Sequence, residues 1–216
     1  MRIDPAGWPF VGAGLVFAAL VAAVAGSPYG LAALVLPAFF LFFFRDPERR
    51  TTLGPREVVS PADGKVMVAG TPTGNFDPAA WQQVTIFLSP MDVHVNRMPI
   101  AGTVRSVKYH PGKFLPAYKR EAGDLNEHTE VTLDHGGQTL VVRQIVGILA
   151  RRIVCRVKEG DVVDAGGRFG VMKFGSRMDV FVPHGSTLRV QVGDRVSAGI
   201  TVIAVLPEGP HRGTQA

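Results

Sequence analysis

The sequence predicts a mainly β domain, either a β-sandwich or an open barrel, that follows an N-terminal hydrophobic helical hairpin. Two observations support this prediction. Residues 8–44 are almost entirely apolar, whereas the rest of the 216-residue chain has the mixed composition of a soluble protein. From about residue 55 onward, short runs rich in Val, Ile and Phe alternate with Gly-containing turn signals, which is the pattern of strands in a sheet. The length suits one small domain with an anchor.

The apolar N-terminal region divides into two segments without charged residues, separated by the turn signal Ser-Pro-Tyr-Gly at 27–30. Because a spanning helix needs about 20 apolar residues, we predict a membrane anchor over residues 1–50 with helices 8–26 and 28–44. Pro37 in the shorter second helix leaves a re-entrant or single-span arrangement open. A cleavable signal peptide fits poorly, since a second apolar segment and a basic flank follow the first segment.

Positive charges flank the apolar region on both sides and are absent from the turn between its segments. Arg2 precedes the region, and the cluster Arg-Asp-Pro-Glu-Arg-Arg at 45–50 follows it. The positive-inside rule therefore places both flanks in the cytoplasm. We expect a protein of the cell (inner) membrane whose domain 51–216 faces the cytoplasm. The net charge of +5 is scattered apart from this cluster, which favours anionic lipid over nucleic acid as a partner.

Eight segments of the remaining chain read as strands because they are short, apolar and rich in β-branched residues. They are 84–88, 103–109, 129–135, 139–146, 152–157, 178–183, 187–192 and 201–206. One short helix is predicted within residues 113–127. No cluster of His, Cys, Asp and Glu has the spacing of a metal site, so we predict no metal. The one cysteine, Cys155, cannot form an intrachain disulfide and is predicted to be a buried structural thiol.

A weak internal repeat relates residues 157–166 to residues 190–199, which share the pattern Val-x-x-Gly-Asp-x-Val-x-Ala-Gly. This pattern resembles the hammerhead turn of biotinyl and lipoyl carrier domains, and the stretch 60–66 resembles the first strand of the same fold. Such carriers present a modified lysine beside a methionine, a pair that Met172 and Lys173 match. A membrane-anchored carrier or binding module is therefore an alternative function. A serine peptidase is not favoured, since no Gly-x-Ser-x-Gly elbow is present.

Three further stretches together resemble one enzyme family, the phosphatidylserine decarboxylases. They are RFGVMKFGSRMDVFVP at 168–183, SPADG at 60–64 and FLSPMDVHVNRMPIAGTV at 87–104. The motifs occur in the order found in the family, and the resemblance covers about residues 45–206. The short chain with its apolar hairpin is similar to the short bacterial membrane-anchored branch.

The resemblance implies an enzyme that cleaves itself between Gly175 and Ser176, giving chains 1–175 and 176–216. Ser176 then becomes a pyruvoyl group, which forms a Schiff base with the substrate amine. The implied reaction converts phosphatidylserine to phosphatidylethanolamine and CO2 without a metal. Implied partners are the substrate, the lipid bilayer and the two cleavage chains as a heterodimer, with a higher oligomer left open.

The register of the motif distinguishes the cleavage site from a second Gly-Ser pair at 185–186. In the family, a proline follows the reactive serine by seven residues, and this count leads from Ser176 to Pro183. The same count from Ser186 leads to Gly193, so Gly185-Ser186 is predicted to be an ordinary turn.

The resemblance also points to His94 as the base for self-cleavage and to Asp63 as the group that orients it. Many family members carry a second histidine three positions later, where this chain has Arg97. Because arginine cannot act as a base near neutral pH, the role falls to His94, and Arg97 is predicted to bind the phosphate or carboxylate of the substrate.

Three lesser candidates complete the predicted site. Asp92 shares a strand face with His94 if this segment is extended. His128 lies where the family often has an arginine, and His184 is close to Ser176 along the chain.

Overall fold

The computed structural model describes residues 2–148, 152–173 and 176–208. A short 3-10 turn, Pro5–Gly7, leads into helix α1, Trp8–Ala25. The chain reverses at Gly26, whose φ of +102° is one that glycine adopts at little cost. Helix α2, Ser27–Ala33, and helix α3, Val35–Phe43, then return along α1.

The second apolar segment is two helices rather than the predicted one, and Pro37 explains the interruption. Proline has no N–H to donate, and its ring obstructs the carbonyl four residues earlier, which here belongs to Ala33. The helical bonding accordingly changes at Leu34, whose N–H donates to Leu31 over 3.2 Å. By length and composition, the continuous helical stretch Pro5–Ala25 can cross a bilayer, whereas Ser27–Phe43 is shorter.

Small residues let the helices of the hairpin approach closely. A Cβ atom placed on Gly30 would lie 2.3 Å from the Cβ of Ala22, and one placed on Gly14 would lie 3.1 Å from Pro37. This is the packing of helices that lack a hydrophobic driving force between them. Strands β1, Arg2–Ile3, and β2, Arg45–Asp46, pair at the base of the hairpin, so both of its flanks lie at one end.

The remaining elements are almost all strands. In chain order they are β3 Glu57–Val59, β4 Gly64–Gly70, β5 Trp81–Leu88, β6 Val95–Arg97, β7 Gly102–His110, α4 Ala122–Leu125, β8 His128–His135, β9 Gln138–Ile145, β10 Ile153–Cys155, β11 Val162–Val163, β12 Arg168–Met172, β13 Ser176–Pro183, β14 Thr187–Leu188, β15 Arg195–Val196 and β16 Val202–Val205.

These strands confirm the predicted mainly β, sandwich-like class. An eight-stranded antiparallel sheet has the order β11-β7-β8-β9-β13-β5-β4-β15 and remains open, because β11 and β15 are its edges. Two three-stranded sheets, β10-β12-β6 and β14-β16-β3, share its hydrophobic core. Strand β13 shows the layering clearly: Met178 and Val180 enter this core, whereas Phe181 on the opposite face stacks on Phe76 at 3.6 Å.

Strand β12 lies between the sheet and the base of the hairpin. Its Phe169 and Met172 pack into the main core, whereas Val171 forms a second cluster with Phe43 and Phe44 of the hairpin. The hairpin is therefore a third layer, attached through buried aromatic side chains.

The sequence repeat is a structural repeat. The backbone N–H of Lys158 donates to the Asp161 carboxylate over 3.0 Å, and that of Gln191 donates to Asp194 over 2.9 Å. Each turn also exchanges backbone hydrogen bonds with one valine of the large sheet, Val104 for the first turn and Val66 for the second. The two units thus attach β11 and β15 to opposite sides of the sheet by the same contacts.

Candidate active site

Ser176 begins strand β13, in the middle of the eight-stranded sheet. It lies opposite Leu88 of β5 and is fully buried. Its Oγ atom has no hydrogen-bond partner in the described part of the chain. Gly175, the other half of the predicted cleavage site, lies outside the described residues. A buried hydroxyl without a partner costs about 1–3 kcal/mol, and such exceptions in native structures call for a functional explanation.

His94 is a second fully buried group with an unpaired atom. Its Nδ1 lies 2.9 Å from the backbone carbonyl of Asp92. A carbonyl can only accept, so Nδ1 carries the proton and Nε2 has the free lone pair. Nε2 is buried and makes no hydrogen bond to any described residue. The carbonyl of His94 accepts from the N–H of Met172, four residues before Ser176.

The environment of His94 favours its neutral form. Burial lowers the pKa of the imidazole to about 4, although the Asp92 carbonyl and the charges of Asp92 and Asp63 act in the opposite direction. The ring of Phe43 covers it, with ring centroids 4.1 Å apart. At neutral pH, His94 is therefore a base with an available lone pair.

The residues predicted to orient His94 take other positions. Both carboxylate oxygens of Asp63 bind Arg49, at 2.5 and 2.7 Å, and one also accepts from the N–H of Ala198. The described residues include no hydrogen bond between Asp63 and His94, so its orienting role stays a prediction.

Asp92 acts on His94 through its backbone. Residues 90–92 form a turn rather than the extended segment considered from the sequence. The Asp92 carboxylate closes this turn by accepting from the N–H and the hydroxyl of Ser89, each at 2.8 Å. The expected sharing of a strand face with His94 is therefore wrong, because the turn directs the carboxylate of Asp92 elsewhere.

Arg97 is buried and bound within the protein. Its guanidinium donates to the carbonyls of Gly166 and Pro47, each at 2.9 Å, and to the Asp46 carboxylate at 3.1 Å. These bonds attach the segment after the hairpin to β6, the strand that follows His94. The structure thus gives Arg97 a positioning contact, and its role in substrate binding stays a prediction.

The two lesser histidine candidates differ in their distance from Ser176. His128 is buried on β8, two strands from β13, or about 10 Å at the usual strand spacing. It stacks on His110 with ring centroids 4.5 Å apart, and burial lowers its pKa. His184 follows the far end of β13, roughly 27 Å from Ser176 at the rise of an extended strand. That distance contradicts a direct processing role for His184.

The second Gly-Ser pair is the predicted turn. Gly185 has a φ of +89°, and the Ser186 hydroxyl donates to the carbonyl of Pro183 over 2.7 Å. Ser186 therefore has a partner for its hydroxyl, in contrast to Ser176.

An amide pair beside Ser176 was not found from the sequence. Gln144 and Asn96 are fully buried, and the Gln144 Nε2 donates to the Asn96 Oδ1 over 2.8 Å. The second polar atom of each amide is buried and makes no hydrogen bond to the described residues. Gln144 lies opposite Met178, which makes it a diagonal neighbour of Ser176 on the same sheet face. The pair thus offers one donor group and one acceptor near Ser176.

Close packing allows this amide pair to form. A Cβ on Gly170 would lie 2.5 Å from the Gln144 Nε2. A polar side chain within an otherwise apolar strand was the only sequence signal for either amide, and it does not specify the partner.

Lys173, the lysine of the carrier alternative, is half-buried. Its ammonium lies 4.8 Å from the centre of the Phe10 ring in α1, and burial lowers its pKa. Cys155 is half-buried against the core, and burial raises the pKa of its thiol. The described ranges contain no group of three or more His, Cys, Asp or Glu side chains suited to a metal ion.

Comparisons with known proteins agree with the motif analysis. The family model for phosphatidylserine decarboxylase matches residues 36–204. Three curated relatives carry the name phosphatidylserine decarboxylase proenzyme. The protein of Chlorobium phaeovibrioides is 42% identical over 192 residues, covering 89% of this chain and 88% of the relative. The protein of Burkholderia mallei is 38% identical over 205 residues, covering 94% and 95%. The protein of Chlorobium chlorochromatii is 47% identical over 171 residues, covering 79% and 81%.

The family match spans the whole large sheet, nearly all of the two smaller sheets, and Ser176 and His94, each of which has a buried atom without a partner among the described residues. The chain therefore belongs to the phosphatidylserine decarboxylase family.

Proposed function

We propose that this protein decarboxylates phosphatidylserine to phosphatidylethanolamine and CO2, after cleaving itself between Gly175 and Ser176. The buried hydroxyl of Ser176, which has no hydrogen-bond partner among the described residues, is the observation that carries the proposal. The names of the relatives support the substrate, and the word proenzyme in those names supports processing.

The residues around Ser176 fit a pyruvoyl group made from the chain itself. Ser176 is at the start of a strand, and the described residues also include a buried histidine with a free lone pair and a buried amide pair with one donor and one acceptor unused. A pyruvoyl group supplies an electron sink that accepts the carbanion charge left when CO2 departs. The chain would then need no separately bound organic cofactor.

Self-cleavage would proceed in three balanced steps. The Ser176 Oγ attacks the carbonyl carbon of Gly175, the peptide C–N bond breaks, and the hydroxyl proton passes to the released amine. A base next removes the α-proton of Ser176, and the bond between its Cβ and Oγ breaks, which releases Gly175 as a carboxylate that keeps Oγ and leaves dehydroalanine at position 176. Water finally displaces the nitrogen of residue 176, which leaves as ammonia, and the ketone of the pyruvoyl group remains. We assign His94 as the base, since its Nε2 is neutral, buried and unpaired.

The two product chains, 1–175 and 176–216, would remain associated as a heterodimer. Strand β13, which begins the smaller chain, is hydrogen-bonded to β5 on one side and to β9 on the other. Its core residues Met178 and Val180 are fully buried. Separation of the chains would expose the core of the large sheet.

We further propose that residues 1–50 anchor the catalytic domain 51–216 in the inner membrane, with the domain in the cytoplasm. Pairing of β1 with β2 places Arg2 and Arg45 at the same end of the hairpin, as the positive-inside rule requires for two cytoplasmic flanks. The substrate would then keep its acyl chains in the bilayer while its head group reaches the site.

Intact mass analysis of the purified protein tests the proposal. Wild type should give two chains matching 1–175 and 176–216, with the smaller chain beginning in pyruvoyl. Ser176→Ala should remain a single chain and release no CO2 from carboxyl-labelled phosphatidylserine. Ser186→Ala, which changes the serine of the turn, should be cleaved like wild type. A wild-type protein that stays one chain yet releases CO2 would refute the pyruvoyl proposal.

A further inference from the structure

Five residues lie at the end of the hairpin or on segments that adjoin the strand ends near Ser176, and we call them the collar. Two are large apolar side chains on loops, Met91, which is 62% exposed, and Ile148, which is 55% exposed. Three are cations: Arg45, Arg152 and Lys173. No ion pair involving these cations occurs within the described residues, whereas nearby Arg49, Arg97 and Arg168 each bind an aspartate.

Met91 is hydrogen-bonded to Arg45 at the end of the hairpin. The guanidinium of Arg45 donates to the Met91 carbonyl over 2.7 Å and to the Phe42 carbonyl over 2.8 Å. It also lies 3.9 Å from the centre of the Phe42 ring. The exposed Met91 side chain therefore lies at the level where α3 leaves the β domain.

Ile148 follows β9 by three residues, and Arg152 directly precedes β10. Strand β10 begins opposite Met172, the residue before Lys173. The Lys173 ammonium contacts the Phe10 ring near the start of α1. Arg152 is close enough to Lys173 for its charge to lower the pKa of that lysine. Lys173 is thus a common neighbour of Arg152 and of helix α1.

The collar also lies at the end of the large sheet where β13 begins with Ser176. The residues Leu88 and Ile145, which end β5 and β9, adjoin the first residues of β13. The loops of Met91 and Ile148 follow these two strand ends directly. A surface that contacts the collar would therefore meet the same end of the sheet as the candidate site.

We infer that the collar is a second membrane-contact surface, in which Met91 and Ile148 enter the interfacial layer of the bilayer while Arg45, Arg152 and Lys173 bind the phosphates of anionic lipids. The inference rests on the proposed function in one respect, that the hairpin lies in a bilayer. An anionic membrane surface attracts nearby basic residues, and the two apolar side chains add burial at the same level. The collar would hold the end of the sheet that carries Ser176 at the depth of the lipid head groups.

The chain offers a matched control for this surface. Val162 is 82% exposed and apolar, but it lies on β11, which pairs with the first residues of β7. The last residue of β7, His110, pairs with His128, which lies at the same end of the strands as Ser176. Val162 is beside the first residues of β7 and therefore lies at the opposite end of the strands.

Quenching by lipids with brominated acyl chains tests the collar in the full-length protein. Trp8→Phe and Trp81→Phe remove the native tryptophans, and Ile148→Trp, Met91→Trp or Val162→Trp then adds a single reporter. In vesicles of phosphatidylcholine and phosphatidylglycerol, we expect a blue shift and loss of emission for the reporters at 148 and 91, and neither change at 162. Equal quenching at 148, 91 and 162 would overturn the inference.

A further variant separates failure of the collar from failure of the anchor. Trp8 is 56% exposed at the start of α1, and in the Trp81→Phe protein it reports on the hairpin alone. Quenching of Trp8 without quenching at 148 and 91 would refute the collar and leave the anchor intact. No quenching at any position would refute both. Intact mass of the same samples shows separately whether self-cleavage occurs.

Discussion

At the scale of single residues, the candidate site is defined by buried polar atoms that have no hydrogen-bond partner in the described parts of the chain. The Ser176 Oγ and the His94 Nε2 are such atoms, and the Asn96–Gln144 pair contributes two more. In an ordinary core these groups would be hydrogen-bonded. Motif register predicted Ser176 and His94, but it did not predict their environment. The family resemblance pointed to Asp63 as the group that orients His94, and closeness along the chain suggested Asp92. Arg49 and Ser89 instead bind these two carboxylates.

The buried neutral state of His94 predicts a specific pH dependence of stability. Its pKa is about 4 in the folded chain against 6.5 ordinarily, so between these values the unfolded chain binds a proton that the folded chain does not. Lowering the pH through this window should therefore reduce the free energy of unfolding, by about 3 kcal/mol in total. Urea unfolding of the Ser176→Ala protein in detergent measures the effect without self-cleavage.

The control for this prediction is His94→Gln in the same Ser176→Ala background. It should lose this part of the pH dependence and keep the part that other groups cause. Parallel stability curves for the two proteins would show that His94 is not held neutral.

At the scale of elements, strands rich in β-branched residues were predictable and short strands within motifs were not. The eight predicted strands all occur, although 187–192 is reduced to β14, Thr187–Leu188. Strand β6 was missed because it has three residues, Val95–Arg97, and its pairing with β12 rather than its own pattern defines it. The predicted helix within 113–127 is a single turn, Ala122–Leu125. The break in the second apolar helix follows from Pro37, which was noted as a weakness of that helix.

The repeated turns predict equal and additive effects of two substitutions. Asp161→Ala and Asp194→Ala each remove one exposed side-chain acceptor of a backbone N–H. Each should lower the free energy of unfolding by about 1 kcal/mol. The double variant should lose the sum, because the turns lie at opposite sides of the sheet and residues far apart act independently. Urea unfolding measures all three proteins, with Asp194→Asn, which keeps an acceptor, as the milder control. A double variant that loses much more than the sum would mean that the two units fold as one.

At the scale of the whole molecule, the hairpin and the β domain share a buried contact that links the hairpin to the proposed base. Phe43 ends α3, is fully buried, and covers the His94 ring. The two residues are 51 positions apart in the chain, and no local pattern indicated their contact. Composition separated the apolar hairpin from the β domain as segments, but only tertiary packing shows that the last turn of the hairpin completes the surroundings of His94.

This contact predicts that a change in the hairpin alters the pH profile of self-cleavage. Phe43→Leu removes the ring that covers His94 and admits water, so the pKa of His94 should rise from about 4 toward its ordinary 6.5. A larger fraction of His94 is then protonated in mildly acidic solution and cannot act as a base. Self-cleavage of newly made Phe43→Leu chain should be slower near pH 6 than near pH 8, whereas wild type should keep one rate across this range.

Phe39→Leu, which changes a more exposed ring of the same helix, should retain the wild-type profile. A Phe43→Leu profile as flat as that of wild type would show that Phe43 only fills space, and a rate near pH 8 close to wild type would confirm that the variant is folded.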